Sequence, residues 1–301
     1  MNKKQKRLAI FGCGYVGKDF AKQALKLGYE VVALTHNVSK AEELKRLGVN
    51  QVVVASLHRD NWHREIRGNF ESVVNCVSSS GGGIAGYHQS YRDGQLSLLE
   101  WAKEREIGNF LYTSSTTVYP QDHGDWVTEA SSLQGIPKSS QIIQQSEQIL
   151  WEGKSQFDRV FILRLAGIYG PSRHYLLDQI KQGERTLSGS GDHYLNLIFL
   201  DDICRAIWGC LDANPTINHR IYNLSDGHPT QKKLVAQYLS DQLGGGEPIA
   251  FDPEKPLFSG SVRRVNNRKV SNRKICQELE WAPQYPDYQS GYQKILSLHQ
   301  A

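Results

Sequence analysis

The sequence predicts an α/β protein: a doubly wound parallel sheet followed by a smaller C-terminal lobe. Three observations carry that prediction. Short apolar, β-rich runs alternate with segments of helical periodicity through the first half of the chain. A glycine turn, FGCGYVG, joins the first such run to the first helical segment. After Gly170 the rhythm changes to shorter pieces separated by Gly, Ser and Pro.

RLAIF reads as the first strand and VGKDFAKQALKLG as the helix behind it. YEVVALT and SKAEELKRLG repeat the pair, and QVVVAS and SVVNCV are two further strands. A long helix through YHQSYRDGQLSLLEWAKEREIG leads into the strand NFLYTSS, and a helix through SSQIIQQSEQIL leads into RVFILRLAGIYG. Connections in such sheets are right-handed, so ligands gather at the carboxyl ends of the strands. Beyond Gly170 come a helix near LLDQIKQG, a turn at SGSGD and a strand at YLNLIF. A helix from DDICRAIWGCL, a strand at RIYNLS and the helix QKKLVAQYLSDQLGGG follow. The reading is therefore a first domain over residues 1–170, its sheet completed by segments within 193–225, and an interleaved smaller lobe over 171–301.

The totals bound the function classes. With 301 residues, 39% of them hydrophobic, the chain can bury a sizeable core. The net charge of +4 comes from 35 basic and 31 acidic residues scattered along the chain, which argues against a nucleic-acid partner. Five widely spaced cysteines without a CxxC pair indicate neither a disulfide framework nor a metal site, so a reducing cytoplasm is expected. The basic start MNKKQKR precedes an apolar run too short for a signal peptide, and no stretch is long enough to span a bilayer.

Gly12, Gly14 and Gly17 have the GxGxxG spacing, directly after a strand and opening a helix. Gly12 permits the tight turn, Gly14 lets a pyrophosphate approach the backbone, and Gly17 lets helix pack closely on strand. The turn residues Cys13, Tyr15 and Val16 belong to the same cradle, and the helix N-terminus offers free N–H groups to phosphate. This makes the sheet Rossmann-type and the ligand a dinucleotide. Where an acid would hold the ribose of NAD, the second strand ends in Thr35, His36 and Asn37, with Lys40 just beyond. A missing acid removes repulsion against a 2′-phosphate and Lys40 offers charge to it, so NADP leads NAD as the expected cofactor. Ser56 and Leu57 end the third strand, Cys76, Val77 and Ser78 the fourth, and Ser114 the fifth, all on the cofactor side.

FGCGYVG, NFLYTSSTTVYPQDHGDWVTE, LRLAGIYGPSR, LIFLDDICRAI, IYNLSDGHP and RRVNNRK…ELEWAPQYP, taken in order, resemble the extended or atypical short-chain dehydrogenase/reductase superfamily, in its NAD-dependent epimerase/dehydratase branch. The resemblance spans nearly the whole chain and is closest to the atypical subgroup with GxGxxG. It implies that Ser115 is the catalytic hydroxyl that meets the substrate oxygen, and that Ser79, Trp126 and Glu129 lie where relatives contact substrate. It also implies that Arg164 and Tyr169 shape the junction of the lobes and that Asp202 fixes the lower lobe, although Phe199 stands where the family has histidine. Arg173, Arg263 and Arg264 could meet a diphosphate, since guanidinium forks match phosphate oxygens.

One departure limits what carries over. Active members hold a tyrosine and, four residues later, a lysine on the helix after the Ser115 strand; the tyrosine exchanges a proton with substrate and the lysine lowers its pKa. Those positions are Ser139 and Ile143 here, and the helix keeps one titratable side chain, Glu147, expected at the surface. Tyr119, His123 and His88 are then the candidates for moving the proton. The expectation is an NAD(P)-dependent oxidoreductase or epimerase/dehydratase-like protein, acting on a small molecule such as a nucleotide sugar, as monomer or homodimer. The alternative is a catalytically silent NADP(H)-binding sensor or partner-binding protein. Neither nucleic acid, membrane nor metal enters this reading.

Overall fold

A computed structural model of the chain describes residues 6–79, 81–246, 248–255 and 266–298. They fall into two compact units: Met1–Val118 with Gly135–Arg164 and Ala206–Tyr222, and Tyr119–Gln134 with Leu165–Arg205 and Asn223–Ala301.

The first unit is built on a seven-stranded sheet. Its strands are β1 (Arg7–Phe11), β2 (Glu30–Thr35), β3 (Gln51–Val54), β4 (Phe70–Asn75), β5 (Ile107–Ser115), β7 (Arg159–Leu165) and β12 (Arg220–Leu224), in the spatial order β12-β7-β5-β4-β1-β2-β3. The five strands β1 to β5 pair in parallel. The doubly wound α/β reading therefore holds. Because β2 and β3 lie to one side of β1 while β4 and β5 lie to the other, the strand order reverses at β1, and a crevice opens at its carboxyl end. Helices α1 (Tyr15–Lys26), α2 (Val38–Arg46), α3 (Gly83–Tyr87), α4 (Gly94–Ala102) and α5 (Lys138–Glu152) serve the sheet. On α1 the buried residues Phe20, Ala21 and Ala24 recur at helical spacing, which leaves its lysines outside.

Under the sheet, the rings of Trp62 and Trp101 pack 5.0 and 5.3 Å from that of Phe11. Each indole N–H is satisfied by a carbonyl: Trp62 donates to Leu57 (3.0 Å) and Trp101 to Ile66 (2.9 Å). Burying an indole this way is worth about 2–3 kcal/mol in apolar area alone, and the satisfied N–H removes the cost of a buried donor.

The sequence predicts an unbroken helix from Tyr87 onward, whereas His88–Asp93 forms a π-turn between α3 and α4. A π-turn shifts the ladder by one residue. Its Tyr91 carbonyl accepts from Gly94 N and also takes the Ser146 hydroxyl from α5 at 3.0 Å.

The second unit is assembled from short strands. β6 (Asp125–Val127) pairs in parallel with β15 (Arg268–Val270), β8 (Gly167–Tyr169) with β11 (Leu197–Phe199), and β9 (Thr186–Ser188) with β14 (Ala250–Asp252); β10 (Tyr194–Leu195) runs antiparallel to β13 (Thr230–Gln231). The single strand expected at YLNLIF is thus two strands, broken at Asn196. The side chain of Asn196 accepts from Val270 N (2.7 Å) and donates to Arg268 O (2.8 Å), while its carbonyl accepts from Gly167 N (2.8 Å). Helices α6 (Tyr175–Lys181), α8 (Lys232–Gln242) and α10 (Tyr288–Leu298) contribute to a core with Tyr169, Leu177, Phe199, Leu239 and Tyr292; α9 (Arg273–Leu279) buries Ile275, and α7 (Leu200–Leu211) begins in this unit. Asp202 is wholly buried and accepts from the backbone N–H groups of Gln284 (2.6 Å) and Tyr285 (3.0 Å), so it anchors a loop of its own unit; burial raises its pKa. No helix among the described residues is long and apolar enough to cross a membrane.

Candidate functional site

The glycine turn does what its spacing requires. Gly12 has φ +85°, and a Cβ placed there would sit 2.5 Å from Val77 N; at Gly17 it would sit 2.5 Å from the Gly12 carbonyl. Both glycines are forced by the packing of the turn on β4 and of α1 on β1. Gly14 differs: a Cβ there would meet nothing nearer than the Lys40 ammonium at 3.9 Å. The space above Gly14 is open, and a ligand's pyrophosphate would need that space. α1 begins at Tyr15 with no side-chain cap and no acid in its first turn, so the positive end of its dipole faces the turn without a carboxylate of its own.

The cleft around this turn is lined by Gly12, Cys13 and Gly14 from the β1–α1 turn, and by Leu34, Thr35, His36 and Lys40 from the end of β2 and the start of α2. Ala55, Ser56, Leu57 and His58 line it from the β3 end, Cys76, Val77 and Ser78 from the β4 end, and Gln89 and Ser90 from the π-turn. Most residues expected at the cofactor come together here. Tyr15 and Val16 open α1 beside them, with Val16 buried. The Asn37 side chain caps α2 by accepting from Lys40 N (3.0 Å), and the Thr35 hydroxyl accepts from Asn37 N (3.3 Å), so both set the β2–α2 turn that presents His36 and Lys40. Among the described residues no Asp or Glu lines the cleft. Burial raises the Cys13 thiol and pushes Cys76 up to about 12, which leaves both neutral. The side chains around the cradle therefore offer positive charge and no negative charge. A dinucleotide fits this set.

His58, Gln89 and Ser90 escaped sequence reasoning. For His58 a signal existed, since it directly follows Ser56 and Leu57. Gln89 and Ser90 reach the cleft from the π-turn, which side-chain periodicity does not reveal.

Ser115 ends β5 half-buried. Its oxygen accepts from Thr117 N (3.2 Å) and from the Thr117 hydroxyl (3.1 Å), which fixes the turn and leaves the Ser115 proton available. Ser114, expected at the cofactor, is buried instead and gives its hydroxyl to Glu147 Oε1 at 2.5 Å. Glu147 is the clearest correction. Expected at the surface, it is only 4% exposed, and its two oxygens take a forked pair from Arg164, Nε at 3.0 Å and Nη2 at 2.7 Å. Arg164 is 3% exposed, so the ion pair lies in the interior. The reason lies in helix geometry: Glu147 follows the buried Ile143 by four residues and so shares its inward face. Ser139 and Ile143 both stand on α5, and Ile143 is buried.

Most of the remaining expected residues belong to the second unit. Tyr119 is buried and donates its hydroxyl to Asn223 Oδ1 (2.6 Å), while its carbonyl accepts from the Arg268 guanidinium. Glu129 Oε1 accepts from Asn223 N (2.7 Å). His123 is exposed, with Nε2 3.3 Å from Asp122. Trp126 is 55% exposed, with the Lys269 ammonium 5.9 Å from its ring. Arg173 closes a backbone bridge with Gly170. Tyr169 is buried and donates to the Asp287 carbonyl (3.3 Å). In the first unit, His88 sits in the π-turn and Ser79 turns its hydroxyl toward the Gly81 carbonyl (3.2 Å). Arg263 and Arg264 lie outside the described residues. Among the described residues no three His, Cys, Asp or Glu side chains are placed to hold a metal ion.

Comparison with known proteins agrees with this geometry. Protein YeeZ of Escherichia coli strain K12 is 27% identical over 94% of this chain and 97% of its own length. UDP-glucose 4-epimerase of Corynebacterium glutamicum is 23% identical over 94% and 92%. Among solved structures, UDP-glucuronic acid 4-epimerase from Bacillus cereus, in complex with UDP-glucuronic acid and NAD, superposes with a TM-score of 0.81 at 19% identity, over 97% of this chain and 99% of its own. The dTDP-glucose 4,6-dehydratase from Bacillus anthracis, in complex with NAD, gives 0.79 at 17% identity, over 98% and 96%. The model of the NAD dependent epimerase/dehydratase family matches residues 9–225. With the strand order, the glycine cradle and that match in agreement, the chain belongs to the NAD dependent epimerase/dehydratase family.

Proposed function

We propose that this chain binds NADP(H) in preference to NAD(H) and is an oxidoreductase of the epimerase/dehydratase type, acting on a nucleotide sugar or a similar small molecule without a Tyr/Lys pair. The observation that carries the cofactor reading is the cleft: three forced or open glycines, a helix N-terminus without a side-chain cap, His36 and Lys40 at the β2 end, and no carboxylate among the described lining residues. The solved relatives above hold NAD, whereas an acid suited to the ribose of NAD is missing at the end of β2 here. When bound, the nicotinamide supplies or accepts a hydride.

The chain's own residues have separable parts. Gly14 and the first turn of α1 hold the pyrophosphate, and His36 and Lys40 take the 2′-phosphate. Ser115 donates its free proton to the substrate oxygen. Less supports Tyr119 and His123 as proton carriers: the phenol of Tyr119 is buried and given to an amide oxygen, and His123 is exposed beside Asp122. Trp126 and Arg173 remain the substrate-facing groups of the second unit.

A second reading, a silent NADP(H)-binding protein, is favoured by Ser139 and Ile143, which leave α5 without the usual proton apparatus. One experiment separates the two. Wild type and Ser115→Ala are incubated with NADP⁺ or NADPH and a panel of nucleotide sugars, and absorbance at the reduced-nicotinamide band and product epimers are followed. The enzyme reading expects turnover in wild type, lowered about 100-fold in Ser115→Ala. Cofactor binding without turnover on any substrate leaves the silent reading.

A further inference from the structure

Behind the cleft lining, three residues of the first unit meet in the combination Ser, His and Asp. The Ser97 hydroxyl, on α4, donates to Asp60 Oδ1 at 2.7 Å, and His63 Nε2 lies 3.0 Å from Ser97 Oγ and 3.5 Å from Asp60 Oδ1. Counting protons fixes the direction of this chain. A carboxylate only accepts, so the single hydroxyl proton of Ser97 goes to Asp60, and the 3.0 Å contact then requires His63 Nε2 to carry a hydrogen and donate it. A nucleophilic serine needs the reverse, an imidazole that accepts from the hydroxyl, and Ser97 is only 5% exposed. The three side chains form a clamp and not a catalytic triad.

What they clamp is the cleft. Asp60 and His63 belong to a 3₁₀ turn, Asp60–Arg64, that closely follows Leu57 and His58 in the lining, and Trp62 of this turn donates to the Leu57 carbonyl at 3.0 Å. Ser97 stands on the helix that follows Gln89 and Ser90, the lining residues of the π-turn. At the head of that helix Gly94 is pressed on Leu57, since a Cβ there would sit 2.9 Å from Leu57 Cδ2. Two segments of the lining, 55–58 and 89–90, are thus joined from behind by one hydrogen-bond chain. The charged groups that face the imidazole are Asp60 on its own turn, Glu100 on α4, and Arg105 beyond α4, whose Nη2 donates to the His63 carbonyl at 3.2 Å. The ring packs edge-on against Trp62, with centroids 4.3 Å apart, and 18% of the side chain is exposed. Burial, helped by Arg105, outweighs the two carboxylates and lowers the pKa of His63.

Resting on the reading that the cleft takes a dinucleotide, we propose that Asp60, His63 and Ser97 are positioning residues that hold the two lining segments in their binding arrangement, and that the clamp opens when His63 takes a second ring proton, so that dinucleotide affinity falls in acid. The sign follows from linkage. The closed clamp holds a neutral ring and the open one returns the ring to water. Closure is therefore complete above the ordinary imidazole value of about 6.5 and is lost as pH falls through the lowered one. A ligand that binds the closed arrangement loses affinity in the same proportion.

The probe is NAD⁺, which lacks the phosphate monoester that itself titrates near pH 6. Full-length wild type, His63→Gln and Ser97→Ala are titrated by calorimetry at pH 7.5, 6.0 and 5.0 at constant ionic strength, with thermal unfolding alongside to show that each is folded. Affinities are referred to His63→Gln at the same pH, which cancels the contribution of every other titrating group in the cleft. The ratio of wild-type to His63→Gln affinity is expected to fall about fivefold from pH 7.5 to pH 5.0. Ser97→Ala is expected to bind about fivefold more weakly than wild type at pH 7.5, with a ratio to His63→Gln that no longer falls with pH. A residue that only supports the fold would lower the melting temperature and leave this slope unchanged. A flat wild-type ratio, or a folded Ser97→Ala with the wild-type slope, overturns the clamp while dinucleotide binding stands. Absence of NAD⁺ binding by wild type at every pH overturns the cleft reading instead. Imidazole NMR of the cofactor-free protein tests the clamp independently of any ligand: the account expects a neutral His63 ring at pH 7.5 with its hydrogen on Nε2, and a hydrogen on Nδ1 overturns it.

Discussion

Removing the carboxylate of Glu147 tests whether α5 has kept an interior ion pair in place of its missing proton apparatus. In Glu147→Ala the Arg164 guanidinium loses its forked partner while remaining in a site where only 3% of the residue meets solvent. The Ser114 hydroxyl loses its acceptor at the same time. Breaking one side of a buried pair costs about 3–5 kcal/mol, chiefly because the surviving charge is left without compensation. For a chain of this size that corresponds to a melting temperature roughly 6–20 °C lower. A surface carboxylate would instead change stability by about 0.5 kcal/mol or less. The assay is equilibrium urea unfolding of wild type, Glu147→Ala and the double variant Glu147→Leu/Arg164→Met. Since the double variant removes both charges and keeps the volume, it is expected to recover most of the loss. A Glu147→Ala protein within 1 kcal/mol of wild type would refute the burial argument.

Two further outcomes follow from the structure. Gly14→Val should fold with near-native stability, because a Cβ there meets nothing closer than the Lys40 ammonium at 3.9 Å, yet bind dinucleotide about 100-fold more weakly by calorimetry, since the side chain fills the pyrophosphate's place; native affinity would sink the site assignment. Asp226 is 3% exposed, and burial raises its pKa well above the ordinary carboxylate value. With a raised folded pKa the native state holds the proton more tightly than the unfolded chain, so stability is fully present below the unfolded pKa and declines as pH rises through the folded one. Asp226→Asn keeps an acceptor for the His228 N–H, now at 2.9 Å, and should be more stable than wild type at pH 7.5 by on the order of 1 kcal/mol, with the gap closing toward pH 4. Matching urea midpoints at both pH values would contradict this.

Much of the first unit was legible because its signals are local. Parallel strands buried on both faces read as continuous apolar runs, and the GxGxxG spacing reports a backbone geometry that other residues cannot adopt: Gly12 needs φ +85°, and Gly17 has no room for a Cβ. The cofactor side of the cleft follows from the strand ends, which are also local. What was not legible depends on side chains meeting at a distance in sequence. Glu147 looked like a surface residue because its partner, Arg164, lies on another element and its acceptor role for Ser114 on a third. Asn196 breaks an expected strand because three backbone groups of two other strands converge on it. The π-turn at His88–Asp93 left no mark in the periodicity, and with it Gln89 and Ser90 were missed. Tyr119 looked like a free phenol because Asn223, which takes its proton, is distant in the chain.

The proposed function puts a dinucleotide with a 2′-phosphate in the cleft at the β1 end. It is tested most directly by calorimetric titration of the wild-type protein with NADP⁺ and with NAD⁺ at pH 7, using adenosine 2′,5′-bisphosphate as a competitor. Saturable binding of both cofactors is expected, at least tenfold tighter for NADP⁺, with the bisphosphate competing against it. Equal or tighter binding of NAD⁺, with no competition from the bisphosphate, would contradict it.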